Sequence, residues 1–143
     1  MKELTGDSIL SLPLRLHGIE LGRTADLLLD RETLRVVGLD VLCGDEVHRF
    51  LPLPTAAIRG DGLTIHSPLV LLEEDELGFY RARAFSLKSL RGKPVTRKGR
   101  SVGTLRDVVF ARSGELLAVV LESGERLPYD ETLGLAPERR TAA

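Results

Sequence analysis

Residues 89–112 read SLRGKPVTRKGRSVGTLRDVVFAR, and residues 8–31 read SILSLPLRLHGIELGRTADLLLDR. Laid on one another without a gap, Ser8 falls on Ser89, Pro13 on Pro94, Gly18 on Gly99, Gly22 on Gly103, Asp26 on Asp107 and Arg31 on Arg112. The six identities in 24 positions include turn formers, the residues that set the path of a backbone. The register then slips by one at the next turn, where Val36-Val37-Gly38-Leu39 falls on Leu116-Leu117-Ala118-Val119 and Gly44 on Gly124. A longer hairpin in the first copy shifts it again, bringing Leu51-Pro52 onto Leu127-Pro128. The chain therefore carries a weak internal repeat.

Working outward, each copy reads as β. Its apolar runs are short, rich in Leu and Val, and punctuated by Gly or Asp turns. In the first copy strands are expected near 12–17, 20–29, 34–42, 47–52 and 63–66, and in the second near 94–97, 101–111, 115–122 and 125–128. Pro54–Ile58 offers at most one helical turn. Segment 69–88, LVLLEEDELGFYRARAFSLK, reads either as strand, turn, strand or as a strand followed by a short helix. Strands recurring at about ten-residue intervals indicate a small barrel or sandwich. The second copy is the shorter one. To close as a barrel it must borrow a strand, and segment 69–84 directly before it is the expected donor. The expected units are 1–72 and 73–136, with a disordered polar tail at 137–143.

Composition narrows the function classes. With 143 residues, 20 basic and 21 acidic, the chain has a net charge of −1, so uniform polyelectrolyte binding is not the default. Apolar residues make up 43%, enough for a core. No signal peptide is visible at Met1–Gly6, and no apolar run approaches the roughly 20 residues of a membrane helix. Cys43, the one cysteine, excludes an internal disulfide framework and a multi-cysteine zinc site. A soluble, cytoplasmic chain is expected, without membrane insertion.

Few residues point to chemistry. His17, His48 and His66 lack HxH or HxxxH spacing, so strand and turn histidines are expected rather than a metal site. Cys43, beside Gly44 in a hairpin turn, has no companion motif that would make it a nucleophile. Asp26 and Asp107 each lie four residues after a matched glycine. They read as structural carboxylates accepting backbone N–H groups, the catalytic alternative needing a cleft and a second carboxylate. Gly22 and Gly103 belong to no phosphate-binding loop, and a glycine inside a strand marks a bulge or a barrel corner.

Charge is unevenly spread. Residues 1–80 hold 7 basic and 14 acidic residues, net −7, and residues 81–143 hold 13 and 7, net +6. Between Arg81 and Arg106 stand nine basic residues and no acidic one: Arg81, Arg83, Lys88, Arg91, Lys93, Arg97, Lys98, Arg100 and Arg106. Glu73-Glu74-Asp75-Glu76 runs just before them. The stretch reads as a partner-binding surface for RNA, an acidic protein or another copy of the chain, or as one half facing the acidic other half. Only Phe85 interleaves it, which disfavours single-stranded RNA.

The motif Gly92-Lys93-Pro94-Val95, then Gly99-Arg100-x-Val102-Gly103, then Leu105-x-Asp107-Val108, followed by the Leu116–Leu121 strand and Leu127-Pro128-Tyr129, resembles the PRC-barrel family. The first copy resembles it more loosely through Pro13-Leu14, Gly18, Leu21-Gly22, Asp26–Asp30, Val36–Leu39 and Leu51-Pro52-Leu53, with Ser11-Leu12 where the family has Gly-Lys. The resemblance implies an all-β protein of two small PRC-barrel-like units in tandem. It also implies a non-enzymatic role as a protein-interaction or assembly module, with no cofactor. The partner would be another protein or a second copy in a homodimer weakened by salt, with Phe79-Tyr80 among its apolar contacts. An RNA- or ribosome-associated role for the basic stretch is the alternative.

Overall fold

A computed structural model describes residues 3–135, and the chain is mostly β. The tail expected at 137–143 lies outside the described residues. In chain order the elements are β1 (Glu3–Thr5), α1 (Gly6–Ile9), β2 (Pro13–Leu16), β3 (Ile19–Asp30), β4 (Val36–Cys43), β5 (His48–Pro52), β6 (Ala57–Arg59) and β7 (Gly62–Ile65). There follow α2 (Glu74–Ala82), β8 (Ala84–Ser86), α3 (Leu87–Leu90), β9 (Pro94–Arg97), β10 (Arg100–Ala111), β11 (Leu116–Leu121), β12 (Arg126–Pro128) and β13 (Leu133–Leu135). Single 3-10 turns sit at Leu53–Thr55 and Pro68–Val70. One sheet runs β5-β4-β3-β2-β7-β6 with β8 added on β3, and the other runs β12-β11-β10-β9-β13 with β1 added on β10.

The repeated residues make repeated geometry. His17-Gly18 and Lys98-Gly99 join β2 to β3 and β9 to β10, with φ of 52° and 82° in one turn and 54° and 80° in the other. Two consecutive positive φ values are what a two-residue hairpin with the strands' own twist requires, and glycine supplies the second at no steric cost. Past the turns the pairings stay matched. Leu14 faces Gly22 and Arg15 faces Glu20; Val95 faces Gly103 and Thr96 faces Ser101. Each long strand is bulged again at Ala25 or Arg106, next to the matched aspartate. Ser11 and Gly92 also correspond, with φ of 72° and 84°. Serine thus adopts the left-handed conformation that the second half assigns to glycine, at a cost of about 1–2 kcal/mol.

The short elements depart from expectation. Segment 69–84 gives no strand to the second sheet: it forms a 3-10 turn and α2, and β8 beyond it pairs with β3 of the first sheet. The strand the second sheet gains comes from the chain start, where β1 pairs with β10. The two additions match: Thr5 faces Val109 and Ser86 faces Leu28. The beginning of the chain and the segment after α2 therefore exchange a strand and a helix between the two sheets in both directions. Three-residue strands carry too little alternation for sequence to say which edge they meet, and that hid the exchange.

Two carboxylates secure it. Asp107 accepts the backbone N–H of Asp7 at 3.0 Å and of Val108 at 2.8 Å. Asp26 accepts those of Lys88 at 3.1 Å and Leu27 at 2.8 Å, together with the Ser86 hydroxyl. Each aspartate so satisfies a first-turn donor of the short helix from the opposite half, where the helix itself leaves N–H groups unpaired. Thr5 and Ser86 cap the same helices from within, accepting from Ser8 at 3.1 Å and Ser89 at 3.4 Å. Around them one continuous apolar cluster draws on both sheets, from Leu4, Ile9 and Leu14 through Leu87, Leu90 and Val95 to Phe110 and Leu133.

Where α1 meets α3, equivalent positions touch and the equivalence is broken. A Cβ on Gly6 would stand 2.3 Å from Leu87 Cδ2 and 2.5 Å from Asp107 Oδ1. Gly6 and Leu87 are counterparts, each opening its helix. Two leucines cannot share that space, and two glycines would leave a cavity. Gly6→Leu should therefore overpack, at about 1–3 kcal/mol or more, and Leu87→Gly should cost about 2–5 kcal/mol through cavity and chain entropy. Combined, they should recover only the part of the loss that comes from Leu87, since the Cβ at position 6 still meets Asp107 Oδ1, and thermal melts of the three variants check this.

Candidate functional site

The sequence-designated residues separate into two groups. Gly22, Asp26, Gly103 and Asp107 lie at the bulges and the exchange just described. The nine basic residues do not form one stripe. Arg91 sits 3.2 Å from Asp7 and 3.8 Å from Asp107, and Arg97 donates to Pro128 O at 2.6 Å with Asp130 at 3.9 Å. Arg81 binds Asp40. Lys88, Lys93, Lys98, Arg100 and Arg106 are exposed along α3, the β9–β10 turn and β10. Arg106 borders an open cleft of about 300 Å³ together with Asp7, Arg91, Leu105 and Glu122. His17 is a turn residue, His66 is exposed, and Cys43 is buried, with no cluster of metal-ligating side chains among the described residues.

Apart from the β6–β7 hairpin beside β2 and the lone β13 beside β9, one face carries several differences between the two halves. Asp40 pairs with Asp26 across β3 and β4, whereas Val120 pairs with Asp107 at the matching place across β10 and β11. Phe50 faces Asp40 on β5, and Arg126 faces Val120 on β12. Over the outer surface of β3, β4 and β5 lies α2, for which the second half has no counterpart among the described residues. Leu77 (1% exposed), Leu28, Phe50 and Ala84 form a second small core beneath it. Tyr80 stacks on Phe50, with ring centroids 4.1 Å apart and planes 11° off parallel.

Polar contacts hold both ends of α2. At its start, Glu73 meets Arg49 at 3.3 Å, and Arg49 grips Asp45 with two bonds of 3.1 and 2.9 Å. The Asp45 carboxylate foremost, then Cys43 and Glu73, hold the Arg49 guanidinium protonated well beyond its ordinary range. These residues flank an open cleft of about 440 Å³ that Leu21, Pro68 and Leu71 also line. At the other end, the buried Asp40 accepts from Arg81 Nη2 at 2.5 Å and lies 2.7 Å from His48 Nδ1. The helix carries Glu74, Asp75 and Glu76 in its first turn and Arg81 in its last, the charge order its dipole favours.

The outer side of this platform presents Phe79, 51% exposed. The Arg83 guanidinium lies 3.8 Å over its ring and donates to Phe79 O at 3.3 Å. Next to it, Arg31 N–H bonds Arg83 O at 3.1 Å, and its guanidinium lies 4.9 Å over Phe85. Two arginines without a carboxylate partner among the described residues are thus laid on two aromatic rings. The sequence singled out Arg83 by charge and Phe79-Tyr80 as apolar, took His48 for a strand histidine, and missed Asp40, Phe50 and Arg31 as parts of this face. The available signal was the mismatch of Asp40 and Val120 within an otherwise matched repeat.

A family model described as the PRC-barrel domain matches residues 82–135, from the end of α2 through β13. This stretch is a PRC-barrel domain. No curated protein matches the chain. PRC-barrel domains in general mediate protein contacts rather than catalysis. The matched span begins just where α2 ends, so the platform precedes the PRC-barrel domain and rests on the first sheet.

One prediction concerns this face. Arg81→Leu leaves the buried Asp40 carboxylate with His48 alone and should cost about 1–3 kcal/mol. Asp40→Val installs the residue type of the second half, and should cost less because only exposed or half-exposed partners lose a bond. Chemical denaturation of both variants gives the order, and the reverse order would reject the anchoring role.

A second prediction concerns acid. Backbone N–H of Thr33 foremost holds the Asp30 carboxyl below its ordinary 3.8; Arg49 does so for Asp45, and the Thr132 hydroxyl for Asp130. A depressed folded-state value stabilises above the unfolded value and is lost as pH falls through it. The melting temperature should therefore hold steady from neutral pH down to about 5 and fall once pH drops below about 4. A melting series across that range checks it.

Proposed function

We propose that the chain is a non-enzymatic protein-interaction module: residues 1–72 are a diverged PRC-barrel unit, residues 73–136 the second, and α2 their docking platform. Phe79 carries this reading. An aromatic ring that is 51% exposed stands on a helix pinned at both ends, with an arginine laid across it. Buried aromatic and arginine anchors dominate protein interfaces, and a rigid presentation lowers the entropy lost on binding. The complementary surface offers an apolar side chain to Phe79 and a carboxylate to Arg83 and Arg31. A cytoplasmic setting agrees with the single free thiol.

The alternative role in RNA binding has less support. Arg81, Arg91 and Arg97 are engaged within the chain, and Phe85 is partly covered. Among the described residues no helix is long and apolar enough to cross a membrane.

A photo-crosslinking amino acid placed at Phe79, with a control at the exposed Glu125 on the β11–β12 turn, tests the proposal in cells. Protein adducts concentrated at position 79 are expected. Equal adducts at both positions would reject the platform, and adducts removed by ribonuclease would favour the alternative.

A further inference from the structure

We propose that the occupant of this platform is a second copy of the same chain, docked through α2 in antiparallel orientation about a twofold axis at Phe79. This deepens the docking reading above and rests on it. The motivation is a self-complementary stripe. Residues four apart on a helix differ by about 40° in direction and 6 Å in height, so Asp75 and Phe79 of α2 share one stripe, which Arg83, the residue that caps the helix C-terminus, continues. The stacking of Arg83 on the Phe79 ring at 3.8 Å places two of the three together. Asp75 precedes Phe79 by the distance at which Arg83 follows it. Two such stripes laid antiparallel with the Phe79 rings together bring each Asp75 opposite the Arg83 of the other copy.

Three further features agree. Asp75 and Arg83 are exposed and have no ion-pair partner among the described residues. Gly78 and Ala82 beside the stripe are exposed and small, and a Cβ on Gly78 would meet nothing within 4 Å, so a second helix can approach closely. Antiparallel pairing also sets the acidic first turn of each helix against the basic end of the other, which favours both dipoles. A twofold contact needs a surface that complements itself, and this one does. A nine-residue helix with its flanks makes a small interface, so the dimer forms at micromolar concentration or above.

The test is sedimentation equilibrium of the full chain across protein concentration and salt. The wild type is expected to dimerise reversibly and to weaken as salt rises. Asp75→Arg and Arg83→Asp each place like charges opposite one another, and each alone should weaken the dimer roughly tenfold or more. Mixed in equal amounts, the two variants should form a heterodimer, since the all-basic stripe of one complements the all-acidic stripe of the other. Matching circular-dichroism melts confirm that the exposed substitutions leave the fold intact, and the heterodimer itself requires folded partners. A wild type monomeric throughout, variants that dimerise as well as the wild type, or a mixture that fails to pair would each overturn the proposal. A monomeric wild type that still crosslinks foreign protein at position 79 would overturn the second copy alone and leave the docking face standing.

Discussion

Two carboxylates in the wrong halves hold the structure together. Asp26 belongs to the first sheet yet binds the first turn of α3, and Asp107 belongs to the second yet binds that of α1. Each helix follows a strand that has crossed with it. Neither sheet is complete without the other's arm, and the apolar cluster runs on from one to the other. A short helix cannot hold its own shape in water; here a partner's carboxylate fixes each, together with buried Ile9 in α1 and buried Leu87 and Leu90 in α3. Cooperativity between the halves follows from this exchange rather than from a flat interface.

The same constraint bears on the face that α2 covers, where several side chains differ between the halves. Residues at the bulges, the tight turns and the exchange are tied to each other in pairs, and a change on one side meets a fixed partner. The outer surface of β3, β4 and β5 is free of that obligation. Asp40 and Phe50 there differ from their counterparts Val120 and Arg126, and α2 covers that surface. Burying Asp40 is tolerated because Arg81 and His48 reach it, and Arg81 in turn ties down the helix end that carries Phe79 and Arg83. A buried charge thus becomes a positioning device for an exposed aromatic ring.

The long strands were legible because their signals are local. The Gly-bearing turns, the alternating Leu and Val runs and the paired glycines and aspartates place β2, β3, β4, β9, β10 and β11 within a residue or two. Segment 69–88 was not, because its apolar residues fit a strand as well as a helix; packing of Leu77 and Tyr80 on Phe50 decides for α2. The borrowed strand was assigned to the wrong donor because pairing over a hundred residues leaves no trace in a three-residue run. The site was half legible. Arg83 and the Phe79-Tyr80 pair stood out by charge and rarity, whereas Asp40 looked like any acid in a strand until its counterpart proved to be Val120.

The charge split has its answer in the exchange. Glu3 meets Arg126 at 2.9 Å, Asp7 meets Arg91 at 3.2 Å and Asp40 meets Arg81 at 2.5 Å, so acids of the first 80 residues face bases of the last 63. Part of the segregation is thereby used inside one molecule. Exposed pairs of this kind contribute under about 1 kcal/mol each, so they orient the arms while the apolar cluster holds them. The charges left over are more telling. Asp75 and Arg83 have no ion-pair partner among the described residues, and they stand on either side of an exposed ring. Their own attraction is as weak as that of any surface pair, but across an interface it would act twice and in one orientation only. Phe79 would then supply affinity through burial, and the charges would reject any partner, or any direction of approach, that did not set an acid against Arg83.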